Sequence, residues 1–110
     1  MKSTHQILGI EVKFWEAIAP IFNAYPEVEK WVVFGSRATG KAQEGSDIDI
    51  ALFAPRLSFE RYTEIWNALD NLSFIYRIDL VHFESLKNEK LKAKILKEGI
   101  ELAQDIFSNP

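Results

Sequence analysis

The sequence predicts an α/β (α+β) domain, a small mixed β-sheet flanked by helices in the order α-β-α-β-α-β-α. Three observations predict it. Apolar residues recur at helical spacing near both ends and once in the middle of the chain. Two stretches, "SDIDIALF" and "YRIDLVHF", alternate with the two-residue period of a strand. A third, "WVVF", is a short β-branched and aromatic run of the kind a buried strand carries.

Each element follows from local chemistry. Residues 3–25 place Ile7, Ile10, Phe14, Ala17, Ile18 and Ile21 on one helical face, with Pro20 expected to kink or shorten the helix and Pro26 to end it. Residues 29–34 form the first strand. Gly35, Gly40 and Gly45 then interrupt regular structure, leaving room for one helical turn between the first two. The second strand runs through Asp47–Ile50 into an apolar run that Pro55 closes. Ser58 can cap a helix bearing Phe59, Tyr62, Ile65, Trp66 and Leu69. "YRIDLVHF" supplies the third strand. Residues 84–103 read as a final helix with Leu91, Ile95 and Leu96 on one face and Gly99 as its weak point. Helices and strands interleaved in this way are expected to make one sheet with helical cover.

With 110 residues the chain fits a single domain, residues 1–110, and 47% hydrophobic content is enough for a core without covalent staples. It has no cysteine, so disulfides and thiolate metal sites are excluded, which suits a cytoplasmic location. No apolar stretch reaches membrane-spanning length, and the N-terminus lacks the apolar core of a signal peptide. The formal net charge is −3 with no basic stripe, which argues against a long nucleic-acid duplex as partner.

The chemistry is concentrated in "VVFGSRATGKAQEGSDIDIALF". It nearly contains a P-loop, but that motif ends in a metal-ligating Ser or Thr where this chain has Ala42. Its lysine must also open a helix, whereas Lys41 leads into the polar run "AQEGSD". A second reading uses more of the residues. Gly35 follows a strand, and without a side chain it lets backbone N–H groups approach a phosphate; Ser36 adds a hydroxyl where the next helical turn would start. Asp47 and Asp49, two apart on a strand, leave the same face about 6.6 Å apart, while Ile48 and Ile50 point into the core. Like charges so placed repel, and a divalent cation with oxygen ligands, Mg²⁺ being the usual one beside phosphates, relieves them. Asp79, an acid in the apolar third strand, joins the pair if that strand lies beside the second. Three carboxylates could then hold two ions for in-line displacement at phosphorus.

Each of these features has a plain structural explanation by itself. An alternating Asp pair is commonly a solvated face, and Gly-Ser after a strand is commonly a turn. Their conjunction is what points to a site.

At these residues the chain resembles the DNA polymerase β-like nucleotidyltransferases, and more closely the minimal nucleotidyltransferase (MNT) group. The resemblance covers about residues 31–102, through "KILKEGIEL", with Thr39 standing where relatives frequently carry Arg. It implies that Gly35 and Ser36, with Arg37 as a helper, hold a nucleoside triphosphate. It implies further that Asp47 and Asp49 ligate two Mg²⁺ ions, and that Asp79 ligates the catalytic one and helps deprotonate the acceptor hydroxyl. The reaction implied is transfer of a nucleoside monophosphate, AMP from ATP, with release of pyrophosphate. Larger relatives carry a further helical domain over the site, so the missing half is expected from another chain, giving a hetero-oligomer. The resemblance implies a small all-helical HEPN-type toxin in that role, silenced by addition of AMP to a tyrosine. Two other functions are open to the same residues: transfer to a small hydroxylated molecule, and neutralisation of a partner by occlusion without catalysis.

The other candidates have plainer explanations. Tyr62, Trp66, Trp15 and Phe107 fit a partner surface but are expected mainly in the core. His5 reads as an exposed terminal residue, and His82 falls on the strand face opposite Asp79. Lys41 and Ser46 read as a solvated lysine and a strand-initiating serine, and "KNEKLKAKILK" as a solvated helix face.

Overall fold

The computed structural model describes residues 6–102. Its core is a four-stranded sheet in the order β5-β4-β3-β6, built from β3 (Lys30–Phe34), β4 (Ile48–Phe53), β5 (Ile78–His82) and β6 (Ile100–Glu101). β3 is antiparallel to both β4 and β6, whereas β4 and β5 are parallel, so the sheet is mixed as expected. A parallel pair needs a crossover, and α3 (Phe59–Asp70) supplies it. Ser58 caps α3 by accepting a hydrogen bond from the Arg61 N–H at 3.1 Å, as its position in the sequence suggests.

Both sheet faces are covered. α1 (Val12–Asn23) and α3 pack on one face, where Phe14, Trp15, Ile18 and Phe22 meet Ile48, Ile50 and Leu52. On the other, α4 (Glu89–Glu98) plants Ile95, 1% exposed, on Val32, Phe34 and Ala51. Ile48 and Ile50 therefore face one core, and Asp49 and Ala51 face the side of α4.

Two segments differ from the sequence prediction. The expected helix over 3–25 begins only at Val12. Ahead of it, β1 (Gln6–Ile7) and β2 (Ile10–Glu11) make a hairpin, with Leu8 at φ 56° and Gly9 at φ 76°. Positive φ at both central residues is the turn that matches strand twist, and the glycine makes it accessible. Ile7 and Ile10, three apart, fit a helical stripe equally well, yet here they pair across the hairpin. The Trp15 indole N–H donates to the Ile7 carbonyl at 3.0 Å and ties the hairpin to α1. Pro20 lies inside α1 and does not end it; the helix runs on to Asn23. Residues 3–5 lie outside the described residues.

The expected helix over 84–103 is also shorter. A 3₁₀ turn at Phe83–Ser85 comes first, and Asn88 then starts α4 by accepting from the Leu91 N–H at 3.1 Å. At Gly99 the chain leaves the helix and becomes β6, an edge strand beside β3. A Cβ on Gly99 would lie 2.6 Å from the Ile95 carbonyl oxygen and 2.9 Å from Val32 Cγ2, so only glycine lets the chain pass this close. The small helical turn between Gly35 and Gly40 does form, as α2 (Ser36–Thr39).

Candidate active site

The site is built on the α4 side of the sheet where β3, β4 and β5 come together. β4 and β5 pair in a register that sets Asp49 directly beside Asp79, and β3 sets Phe34 opposite Asp49. The third strand thus lies beside the second, the condition under which the sequence brings three carboxylates together. Asp47 is one residue ahead of β4, and by alternation it shares the face of Asp49.

Gly35 closes the site from behind. It has φ 75° and ψ −152°, a backbone region essentially restricted to glycine, and a Cβ there would fall on Asp49 Oδ2. The glycine therefore serves a close approach between the β3–α2 turn and the central carboxylate. From it the chain turns directly into α2, whose Ala38 and Thr39 N–H groups bond back to the Gly35 carbonyl at 3.0 and 3.1 Å. Gly40 ends α2 at φ 81°, so Lys41 lies outside any helix and the P-loop reading fails structurally as well.

The electrostatics reflect the crowding. Asp49 has its pKa raised from 3.8 to about 6, first by burial, then by the negative charges of Asp79 and Asp47; a hydrogen-bonding contact with Asp79 adds to the effect. Lys94 on α4 opposes the shift. A half-buried carboxylate pushed up by two others is a hard-oxygen donor set that a divalent cation would relieve. The residues fit such an ion. The three carboxylates do not, however, converge on one point: among the described residues no group of three acidic, His or Cys side chains is gathered as a metal site. Asp47 instead faces Arg77, with Oδ1 4.0 Å from Nε.

Arg37 turns back along its own loop. Its Nη2 donates to the Ser46 carbonyl at 3.1 Å, and its Nε is buried without a hydrogen-bond partner. Ser46 in turn accepts from the Gln43 N–H through Oγ at 2.8 Å, fixing the turn that carries Gly45 at φ 88°. That turn and residues 75–77 border an open cleft that reaches Asp47.

Several sequence candidates fall elsewhere. His82 is on the far face, as alternation indicates; its Nε2–H donates to the Ala54 carbonyl at 2.7 Å, and Ser85 Oγ lies 2.8 Å from Nδ1. Trp15 is fully buried, and Tyr62 packs at the core margin with its hydroxyl donating to the Leu80 carbonyl at 2.9 Å. Trp66 is 46% exposed. His5 and Phe107 lie outside the described residues. Sequence reasoning missed Lys94 and Arg77. The signal for Arg77 was its place two residues before Asp79, and for Lys94 its place beside the buried Ile95.

The polymerase β nucleotidyltransferase family model matches residues 16–105, a span that contains every one of these acidic residues and the glycine behind them. The chain belongs to the polymerase β nucleotidyltransferase family. Among solved structures this nucleotidyltransferase is similar to a toxin–antitoxin protein determined with AMP-PNP, at 26% identity and TM-score 0.59 over 80% of this chain and 71% of that one. A mutant of the toxin–antitoxin MntA–HpeT shares the fold at 20% identity and TM-score 0.55, covering 86% of this chain and 73% of the other. So does a protein described as a nucleotidyltransferase from Sulfolobus solfataricus, at 17% identity and TM-score 0.52, covering 82% and 77%. No curated protein matches the nucleotidyltransferase significantly. These neighbours are consistent with an MNT domain. No helix among its described residues is long and apolar enough to cross a membrane.

Proposed function

We propose that this nucleotidyltransferase is an antitoxin of the MNT type, a cytoplasmic enzyme that transfers AMP from ATP to a tyrosine of a HEPN-type toxin with which it forms a hetero-oligomer. The observation that carries the proposal is the Asp49–Asp79 pair across β4 and β5, backed by a glycine whose Cβ position is taken by Asp49 itself. The similarity to a toxin–antitoxin structure holding AMP-PNP supports both the nucleotide and the partner.

In this reading Gly35 and Ser36 receive the triphosphate through backbone N–H groups and the serine hydroxyl, and the unused Nε of Arg37 is available to a phosphate oxygen. Asp47 and Asp49 would hold two Mg²⁺ ions, with Asp79 on the catalytic one. Bound there, the ions would neutralise charge on the phosphates and activate the attacking hydroxyl. Asp79 accepts the proton of the acceptor hydroxyl, whose oxygen forms the new bond to the α-phosphorus as the bond to pyrophosphate breaks. Asp79 suits this role because it is exposed on the last strand of the described sheet.

The test is to purify the protein with the product of its neighbouring gene and incubate the complex with Mg²⁺ and ATP labelled at the α-phosphate. Label on the partner with wild type, and none with Asp49→Asn, is the expected result. Label on a small molecule without any protein acceptor would redirect the proposal to small-molecule transfer. A stable complex that neutralises the toxin equally well with all three aspartates replaced would overturn it in favour of occlusion.

A further inference from the structure

The Asp47–Arg77 contact continues the β4–β5 ladder. The Ile48 N–H donates to the Arg77 carbonyl at 2.8 Å, and Ile48 and Ile78 are register partners, so Asp47 and Arg77 stand one rung outside Ile48 and Ile78 and two outside Asp49 and Asp79. Alternation along β5 puts Arg77 on the face of Asp79, and alternation along β4 puts Asp47 on the face of Asp49. On this face one pair therefore carries two like charges, and the next pair on the same face, two rungs along, carries opposite ones. The Asp47 carboxylate lies 4.0 Å from the Arg77 guanidinium, and the side chains are 47% and 82% exposed. A pair this exposed and this long is a weak hold that solvent screens. It nonetheless supplies Asp47 with a counter-charge, and among the described residues no three-carboxylate cluster is gathered.

We propose that Arg77 is a positioning residue for Asp47, an internal counter-ion that a divalent cation must displace before the three carboxylates can converge. The proposal rests on the metal-dependent reading above. The guanidinium opposes metal binding in two ways: it occupies the Asp47 carboxylate, and it places a positive charge on the face where the cation arrives. Both effects have the same sign, so losing the charge at 77 tightens metal binding. The cation wins because its two charges attract Asp47 and Asp49 together, whereas Arg77 engages only one of them. Arg77 thereby keeps the outer carboxylate paired in the metal-free protein and sets a threshold for loading.

The probe is Mn²⁺ alone, titrated by electron paramagnetic resonance without nucleotide or partner, on variants whose folding is verified by circular dichroism. Arg77→Gln is expected to bind Mn²⁺ about two- to fivefold tighter than wild type, the range a weak surface pair allows. Arg77→Lys should stay close to wild type. The gain should shrink at high salt and shrink again in an Asp47→Asn background, where the carboxylate that Arg77 holds is no longer charged. Unchanged or weaker Mn²⁺ binding by Arg77→Gln, or a gain of the same size without Asp47, overturns the proposal. Asp49→Asn separates the two readings. If it abolishes Mn²⁺ binding while Arg77→Gln changes nothing, only the role of Arg77 falls. If it binds like wild type, the metal reading falls as well.

Discussion

Asp49 and Asp79 are register partners across two parallel strands, and the Asp49 carboxylate occupies the space that any side chain at Gly35 would need. Like charges held this close cost folding free energy and are of use only to a ligand that neutralises them. Such a pair is a local weakness in the fold.

The first prediction concerns pH. The unfolded chain loses the Asp49 proton near 3.8, whereas the folded protein keeps it to about 6. Between these values the folded state binds more protons, so its stability falls as pH rises and this contribution levels off above about 6. Asp49→Asn removes the penalty. In the absence of divalent ions the variant should match wild type below pH 4 and exceed it at pH 8 by about 1 kcal/mol, after allowing for solvent screening, or some 4–8 °C. Thermal melts of both proteins across that range provide the check. An identical pH profile for the two would show that the crowding at Asp49 is not felt.

Gly35→Ala tests the close approach. The substitution asks for a strained backbone and for Asp49 to move, and it should cost about 1–3 kcal/mol in chemical denaturation. Nucleotide transfer should be lost even where the variant remains folded, because the displaced carboxylate is the central one. Normal transfer by a folded variant would contradict the geometry described.

Gly99→Ala tests why the last helix stops where it does. The added methyl meets the Ile95 carbonyl and Val32, and overpacking of this kind costs about 1–3 kcal/mol. Hydrogen exchange should show the loss concentrated in β6 and the end of α4. A variant as stable as wild type would mean that helix length is set by something other than this contact.

Tyr62→Phe separates structure from function among the aromatic residues. The hydroxyl donates to the Leu80 carbonyl on β5, and its removal should cost about 1 kcal/mol. Transfer rates at a temperature where both proteins are fully folded should be unchanged. A selective loss of transfer would assign Tyr62 a role in the reaction.

Much of the site could be read in the sequence because its chemistry is tied to short periods. Two aspartates at alternate strand positions must share a face wherever the strand lies, and a glycine after a buried run marks a turn or a close approach. The three central strands and the helix after Ser58 were legible for the same reason. The two ends were not. Ile7 and Ile10 satisfy a helical period and a hairpin equally, and only Gly9, read as a positive-φ turn, distinguishes them. Gly99 was visible as a weak point, but its consequence depends on Val32, far away in the chain.

By itself, then, the sequence determined which residues could act: the glycine, the serine and the acids, each placed by the period of its own element. Only the tertiary structure decided which of them meet. The register of β4 against β5 puts Asp79 beside Asp49 and Arg77 beside Asp47, and that pairing depends on a crossover of two dozen residues whose packing no local pattern encodes. The positions of Lys94 and Arg77 relative to the carboxylates follow from the same long-range contacts, because electrostatics acts through space and takes no account of separation along the chain.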